Sequence, residues 1–392
     1  MSEYRNENHT YHESYERSWL SRLKDAVLGV VVGLILYIAA FPLLVWNESR
    51  TLARYEALEE GAKAVLSLPE AKVDPIFENK LVHLSGQAKS EETLQDVEFG
   101  LSTHAIQLRR HVEMFQWEEK QEEHSEKQLG GSERVETRYS YQKTWLGQLI
   151  NSSHFNQAQY QNPRSMPFSD LTQRADTVSL GEFKLSPTLI EKINAFRPLA
   201  ISNLIPKQLL TTNDWQLSNE RVFVGMDPGS PKVGDVRVRF DYVAPEQSIS
   251  VVGQQKSNTL GAYRTKSGGT IALLAYGSQS PQEMFANAND ENTLIAWGIR
   301  AGGLIAMILG IGLLLKPIVV FADIVPLFGS IVNFGTSLIA VVIGLISALF
   351  TIAIAWFAVR PLLSLAMAIT GLFLLVGMAW VRRKTKPTMV QT

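Results

Sequence analysis

The sequence predicts a multi-pass α-helical membrane protein with four transmembrane helices and a large inserted α+β, mainly antiparallel β, domain. Three segments near the C-terminus are long and almost without charge: 294–315, 334–359 and 361–381. A helix rises about 1.5 Å per residue, so about 20 apolar residues cross a hydrocarbon core of roughly 30 Å. Segment 26–46 is equally apolar, whereas residues 47–293 have the composition of a soluble domain. These observations together define the fold class.

The composition of the chain excludes several classes of site. The 392 residues are 46% hydrophobic and 19% charged, and the formal net charge is −1. A balanced charge gives no global field that would favour a nucleic acid. The chain has no cysteine, so disulfides, thiolate catalysis and cysteine metal sites are ruled out.

The N-terminal residues 1–25 form a polar segment expected in the cytoplasm. Trp19, Leu20 and Leu23, next to basic residues, fit a short interfacial helix or a disordered lead-in equally well. The first apolar segment, 26–46, ends in Trp46-Asn47-Glu48, which does not resemble a signal-peptide cleavage site. We therefore expect an uncleaved transmembrane helix 1.

The basic tail predicts the orientation of the chain. Residues 382–392 begin with Arg-Arg-Lys directly after the last apolar segment, and such clusters stay in the cytoplasm. Four passes then place the N-terminus on the same side and residues 47–293 on the extracytoplasmic side, periplasmic or lumenal. Residues at the ends of the apolar segments are expected to act as membrane-interface anchors: Trp46, Trp297, Arg300, Trp356, Arg360 and Trp380. Arg300 is expected to extend towards the domain side, since no other charge shares its depth.

Residues 316–333 are expected to form an apolar connector on the cytoplasmic side. This stretch is too apolar for a solvated loop and is interrupted by Pro326 and Gly329. It fits a short helical hairpin, re-entrant in the membrane, or an interfacial segment. Asp323 is either a functional charge at membrane depth or a residue at the headgroup level in water, and the second interpretation is the more economical one.

The clearest strand signal in the domain is a hairpin formed by residues 110–118 and 134–145. Val135, Thr137, Tyr139 and Tyr141 alternate with polar residues, which predicts one buried face. Residues 120–133 are expected to be a charged tip that projects into water. Charged residues of the two strands are expected to form an ion-paired surface, or else a candidate partner or headgroup face: Arg109, Arg110, His111, Glu113, Glu136 and Arg138.

Small residues recur at four-residue spacing in the apolar segments. Such faces allow close helix crossings in lipid. The expected helix-packing residues are Gly29, Gly33, Gly298, Gly302, Ala340, Gly344 and Ala348. This pattern favours a compact bundle or a homo-oligomer without indicating an activity.

No motif points to catalysis. None of the seven histidines has metal-ligand spacing such as H-E-x-x-H. A nucleophile elbow, a P-loop and a dinucleotide fingerprint are also missing from the sequence. We therefore expect no catalytic, metal or cofactor site and no enzyme activity.

Several stretches nevertheless carry a family resemblance, and they run along nearly the whole chain. They are N-E-x-R (47–50), LVH (81–83), LRRHVEMFQW (108–117), ETRYSY (136–141) with Trp145, INS (150–152), NP (162–163), VGD (233–235), TKSG (265–268), W-G-x-R-A (297–301) and RP (360–361). The sequence resembles the LUMA family, transmembrane protein 43 and its bacterial relatives. The longest two matches are compositionally unusual, which makes the resemblance specific.

The resemblance implies a four-pass protein with a large domain between passes one and two. In a eukaryote it implies the endoplasmic reticulum and the inner nuclear membrane, self-association, and emerin and lamins as partners. In a prokaryote it implies the bacterial inner membrane, without those partners. The family has no established catalytic residues to carry over.

Two classes of function remain open at this stage. The first is a membrane scaffold that oligomerises and presents its domain to proteins or lipids. The second is a lipid-binding, lipid-modifying or transport protein at the membrane surface. An apolar cavity with convergent polar groups would favour the second class.

Overall fold

The computed structural model describes residues 9–212 and 215–357, together with positions 369, 370 and 373. It contains five helices in these residues: α1 (Trp19–Ala64), α2 (Pro187–Glu191), α3 (Lys207–Thr212), α4 (Pro281–Ala322) and α5 (Pro326–Phe357). Apart from the three isolated positions, which are helical, the predicted fourth helix 361–381 lies outside the described residues. So do Arg360, Trp380 and the tail 382–392.

The described strands are numbered in chain order. They are β1 (His9–Arg17), β2 (Leu66–Ser67), β3 (Leu81–Lys89), β4 (Thr93–Asp96), β5 (Leu101–His104), β6 (Gln107–Lys127), β7 (Glu133–Leu146), β8 (Leu171–Arg174), β9 (Ser179–Leu180), β10 (Phe183–Leu185), β11 (Arg197–Pro198), β12 (Trp215–Ser218), β13 (Arg221–Val224), β14 (Val236–Val243), β15 (Glu246–Lys256), β16 (Thr259–Gly261), β17 (Tyr263–Arg264), β18 (Thr270–Ile271) and β19 (Leu273–Tyr276).

In the part of the chain that the structure describes, three helices are long and apolar enough to cross a membrane: α1, α4 and α5. Each begins before its predicted apolar segment, because the residues that precede the segment continue the helix. The connector predicted at 316–333 is therefore mostly helical, and α4 and α5 are separated by residues 323–325 alone. Pro326 begins α5, which suits a residue that has no N–H to donate within the first turn.

The chain divides into two compact units, and each is described by itself. The first unit comprises residues 1–12, 57–122 and 138–288, and the second comprises 13–56, 123–137 and 289–392. The first unit is the α+β domain. The second contains most of the long helices together with the end of the β6–β7 hairpin.

The first sheet of the domain has eight strands, with the order β1-β7-β6-β14-β13-β12 and with β8 and β11 added to β6 and β14. Antiparallel β14 pairs with β6 over eight residues, from Val236 opposite Met114 to Val243 opposite Gln107. Leu108, Val112 and Met114 are buried in alternation with half-exposed neighbours, as the period-two rule requires. Their buried face packs on Phe99 and Phe240 in one hydrophobic core.

The second sheet has seven strands in the order β19-β15-β16-β10-β9-β3-β2, with β15 also paired to β3. The β3–β15 ladder is antiparallel over nine residue pairs. It carries a second core, in which Val82, Leu84 and Val251 are fully buried with Phe183 and Leu189. This long-range pairing of residues 81–89 with 246–254 brings the start and the end of the domain sequence next to each other in one sheet.

The predicted hairpin is present, but its strands are longer than predicted. β6 continues to Lys127 and β7 begins at Glu133, so most of the stretch predicted as a tip is strand. Val135, Thr137 and Tyr141 are buried as expected, whereas Tyr139 is half-buried. Burial raises the pKa of the Tyr141 hydroxyl, and its hydrogen bond to Glu119 acts in the same direction.

Candidate functional site

The turn between α4 and α5 holds a buried charged cluster. Asp323 is fully buried; it accepts from Arg22 Nη2 at 2.5 Å and from Lys127 Nζ at 2.7 Å. Arg22 also lies 3.4 Å from Glu133 and donates to the Gly131 carbonyl at 2.6 Å. These four side chains, Arg22, Lys127, Glu133 and Asp323, are called the turn cluster below.

The turn cluster corrects the expectation that Asp323 lies in water. A buried carboxylate is costly unless partners satisfy it, and here two cations do so. Backbone contacts reinforce the arrangement, because Gly130 N donates to the Ile324 carbonyl at 3.0 Å and Trp19 Nε1 donates to the Val320 carbonyl at 3.0 Å. Gly131 has φ +81°, and a Cβ there would lie 2.4 Å from Trp19 Cδ1, so only glycine fits this position.

The position of the hairpin end does not agree with the predicted topology. Residues 127–131 contact the start of α1 and the α4–α5 turn, which the sequence analysis placed on the cytoplasmic side. The hairpin tip was expected with the domain, on the other side. β1 also pairs with β7, although a membrane pass was expected to separate them. The hairpin end and the N-terminal strand therefore belong to the end of the helices that carries Asp323.

A second charged cluster lies at the other end of the membrane helices. Glu48 of α1 accepts from Arg300 Nε and Nη2, both at 2.7 Å, and also from the Trp356 indole of α5. The Arg300 guanidinium lies over the Trp297 ring at 4.8 Å and the Trp356 ring at 5.5 Å. Glu48, Trp297, Arg300 and Trp356 are called the Glu48 cluster.

The Glu48 cluster changes the interpretation of Arg300. The expected anchors Trp297 and Trp356 do meet Arg300, but Arg300 does not simply extend to the surface. It forms a bidentate pair with Glu48, which is a strong and geometrically specific contact. The sequence did not reveal this partner, since Glu48 precedes Arg300 by 252 residues. The fourth expected anchor in the described residues, Trp46, is largely exposed on α1.

The two clusters are separated by about the thickness of a membrane. Arg22 and Glu48 are 26 residues apart on one helix, which corresponds to roughly 39 Å at 1.5 Å per residue. Arg300 and Asp323 are 23 residues apart along α4 and its end, or roughly 35 Å. A hydrocarbon core of about 30 Å fits between them.

Between the clusters, glycines bring α1 and α4 into close contact. A Cβ at Gly33 would lie 2.6 Å from the Gly310 carbonyl oxygen, and one at Gly310 would lie 2.8 Å from that of Gly33. At Gly344 it would lie 2.7 Å from Ile308, and Ala340 and Ala348 are buried. Gly29 makes an ordinary contact with Leu313 at 3.6 Å. These predicted packing residues do line helix contacts.

Gly298 and Gly302 behave differently from the other small residues. Among the described residues, no heavy atom outside the local helix lies within 4 Å of a Cβ built at either glycine. Both are exposed, on a face of α4 that also exposes Leu294 and Ile305. Within the described part of the chain these two glycines therefore line no helix contact, so of the two expected alternatives, a bundle or an oligomer, the bundle contact is not found there.

The candidate charged face of the hairpin is not one surface. Arg110 is buried and pairs with Asp96 at 3.0 Å and Glu98 at 2.7 Å, and the Arg109 guanidinium lies 3.8 Å above the Phe196 ring.

The other members of the predicted face have different neighbours. His111 lies 3.3 Å from Asp241, and Glu113 pairs with Arg237 at 2.6 Å. Both partners belong to β14 rather than to β7. Glu136 and Arg138, on β7, are exposed. The ladder that β6 forms with β14 explains the difference, because it places the charged residues of β6 opposite β14.

The fold and the clusters define the class of protein. It is an integral membrane protein with several apolar helices, whose charged residues pair at the helix ends, and with a large β-rich domain. The family model for Transmembrane protein 43 matches residues 114–361. The chain belongs to this family.

Relatives in animals match the chain over most of its length. Transmembrane protein 43 of Rattus norvegicus is 34% identical over 358 residues, covering 88% of each chain. The Homo sapiens protein is 34% identical over 369 residues, with 91% of this chain and 90% of the relative covered. The Drosophila melanogaster homolog is 29% identical over 355 residues, with 86% and 91% covered. No solved structure matches.

Proposed function

We propose that the chain is a non-catalytic membrane scaffold that self-associates and presents its domain to partners. The observation that carries this proposal is the exposed small-residue face of α4. Gly298 and Gly302 lie there without a neighbour in the described residues, beside exposed Leu294 and Ile305. A surface of this kind in lipid suits close approach of another helix. The occupant we propose is α4 of a second copy.

The membrane arrangement we propose has four passes, with residues 361–381 as the fourth. The basic tail supports a cytoplasmic C-terminus, which makes the ends of the domain, near residues 57 and 288, extracytoplasmic. The Glu48 cluster then lies on the domain side and the turn cluster on the cytoplasmic side.

The charge distribution supports a scaffold over a transporter. In the described helices, the two charged clusters lie at the ends of the apolar segments, and each acid in them has a basic partner. An ion or proton pathway needs ionisable groups at intermediate depth. Paired charges at the two ends instead fix the helices relative to one another.

The proposal is tested with Gly298→Leu and Gly302→Leu together. In detergent, the double variant is expected to lose self-association, measured by light scattering coupled to size exclusion, while its unfolding temperature stays near that of the wild type. Ala306→Leu, on the half-buried side of the same helix, is the contrasting variant, which is expected to lower the unfolding temperature.

Three outcomes would contradict a second copy as the occupant of the Gly298–Gly302 face of α4. Unchanged self-association of the glycine variant would contradict the proposed interface. A monomeric wild-type protein would contradict self-association itself. A fall in unfolding temperature without a change of oligomeric state would indicate that the predicted fourth helix of the same chain packs on this face.

A further inference from the structure

A cavity of about 550 Å³ opens beside the Glu48 cluster, between α1, α4 and α5. Its volume falls within the range of about 300–1,000 Å³ that is usual for ligand sites. Leu52, Trp297, Ala355 and Trp356 give it an apolar wall. Polar groups line the remainder, and they determine the chemistry of an occupant.

The position of the cavity favours a lipid. Two tryptophans line it at the end of the apolar segments, where indole side chains mark the membrane–water interface. An occupant here would place an apolar part against the rings and a polar part towards the domain side. A phospholipid has this division at the junction of its acyl chains and headgroup.

Arg300 offers the cavity a site for phosphate. Its Nε and Nη2 atoms bind Glu48, but a guanidinium has five N–H donors, so three remain beyond this pair. The pair with Glu48 holds the guanidinium plane fixed, and arginine suits phosphate because its donors form a planar fork. The same pair cancels the charge of Arg300, so a net anionic ligand gains little here.

The lining also includes two buried side-chain oxygens that have no hydrogen-bond partner among the described residues. Asn292 is buried; its Nδ2 donates to the Thr51 carbonyl at 3.0 Å, which fixes its Oδ1 as an acceptor. Neither Asn292 Oδ1 nor Thr51 Oγ1 has a hydrogen-bond partner among the described residues. Glu56 adds an exposed carboxylate to the same lining. Buried acceptors without partners are costly, so a ligand with N–H donors is favoured here.

We propose that this cavity binds a phospholipid with a phosphoethanolamine headgroup. The phosphate contacts Arg300, and the ammonium donates to Asn292, Thr51 and Glu56. Thr51 lies about one helical turn beyond Glu48, a separation comparable with the length of the ethanolamine phosphate. A choline headgroup has no N–H to donate, and an anionic headgroup meets the carboxylates of Glu48 and Glu56. The site does not depend on self-association.

The test measures lipid binding to the full chain in detergent by native mass spectrometry and thermal unfolding. Phosphatidylethanolamine is expected to remain bound and to raise the unfolding temperature, with an apparent affinity at least about tenfold above that of phosphatidylcholine or phosphatidylglycerol, as expected for charge-assisted hydrogen bonds. Soluble glycerophosphoethanolamine, which lacks acyl chains, is expected to have no effect, and this arm separates a lipid from a free phosphate compound.

Two cavity variants with matched controls locate the site. Ala53→Phe fills the cavity and is expected to abolish the preference, whereas Ala62→Phe, an exposed alanine of the same helix outside the cavity, retains it. Glu56→Gln is expected to reduce the preference several-fold, while Glu59→Gln leaves it unchanged. Thr293→Phe is a second filling variant, used if Ala53→Phe unfolds at a lower temperature without lipid.

Equal binding of all three phospholipids would overturn the headgroup assignment. Retention of the preference in both filling variants would overturn the site. A response to soluble glycerophosphoethanolamine equal to that of the lipid would show a headgroup site without lipid selectivity, which also contradicts the proposal.

Discussion

The turn cluster and the Glu48 cluster are both built from ion pairs, but they have different surroundings. In the turn cluster, Asp323 is fully buried and two cations from distant segments neutralise it. In the Glu48 cluster, one bidentate pair joins α1 to α4, with a cavity beside it. The first cluster encloses its carboxylate and ties the hairpin end to the helices. The second borders a cavity, and two buried oxygens in its lining have no partner among the described residues. A charged residue at a membrane helix thus indicates a partner of opposite charge. The packing of protein around the ion pair decides whether a ligand can reach it.

The largest effect is expected from Asp323→Ala. Removing the carboxylate leaves Arg22 and Lys127 without their buried partner, which costs about 3–5 kcal/mol for comparable buried pairs. The free energy of unfolding, followed by denaturant titration in detergent, measures this. Asp25→Asn is the control, because Asp25 is exposed near the same cluster; its change should stay within about 0.5 kcal/mol. A loss below about 1 kcal/mol for Asp323→Ala would show that the protein does not enclose the turn cluster.

Glu48→Gln should cost less, about 2–3 kcal/mol, because a neutral amide still accepts from Arg300 and the stacking on the tryptophans persists. The exchange Glu48→Arg with Arg300→Glu should recover part of the loss if the pair itself is responsible. Glu59→Gln, which removes only an exposed pair with Lys63, should change stability by about 0.5 kcal/mol or less. Equal losses at Glu48 and Glu59 would remove the distinction between a buried and a surface pair.

Gly33→Ala tests the crossing that holds the two clusters at their separation. The added methyl would meet the Gly310 carbonyl, and overpacking of this kind costs about 1–3 kcal/mol. Gly298→Ala, with open space around it, should cost less than about 0.5 kcal/mol. Thermal unfolding of both variants in parallel checks this, and an effect at Gly33 no larger than that at Gly298 would contradict the close contact assigned to Gly33.

Single-cysteine variants should change stability least, and their labelling tests the membrane topology most directly. The chain has no cysteine, so single cysteines can be placed freely. Gln128→Cys and Ile324→Cys should react from the same side of a sealed vesicle, because the hairpin end contacts the helix turn. Thr293→Cys, at the other end of α4, should react from the opposite side. Labelling of position 128 together with 293 would show that the turn cluster does not form in the bilayer.

Part of the helix contacts and charged clusters could be predicted from the sequence, and part could not. The spacing of Gly33 and Gly344 predicted close contacts, which the structure contains, because small residues act locally on a helix face. The partner of Arg300 was missed, since Glu48 belongs to another helix. The hairpin strands were found by alternation, but the pairing of β6 with β14 was not. Arg110 and His111 have different surroundings because consecutive strand residues point to opposite faces of the sheet.

The sequence by itself determined the class of protein. The length of an apolar segment and the position of its charges are properties of consecutive residues, and they decide whether a helix can span the hydrocarbon core. It also determined the family and the main hairpin. Only the tertiary structure decided which acid meets which base, where the hairpin ends, and that α4 exposes Gly298 and Gly302 while Gly310 is packed. These features depend on segments hundreds of residues apart, and on the rotation of each helix, which a broadly apolar sequence leaves unspecified.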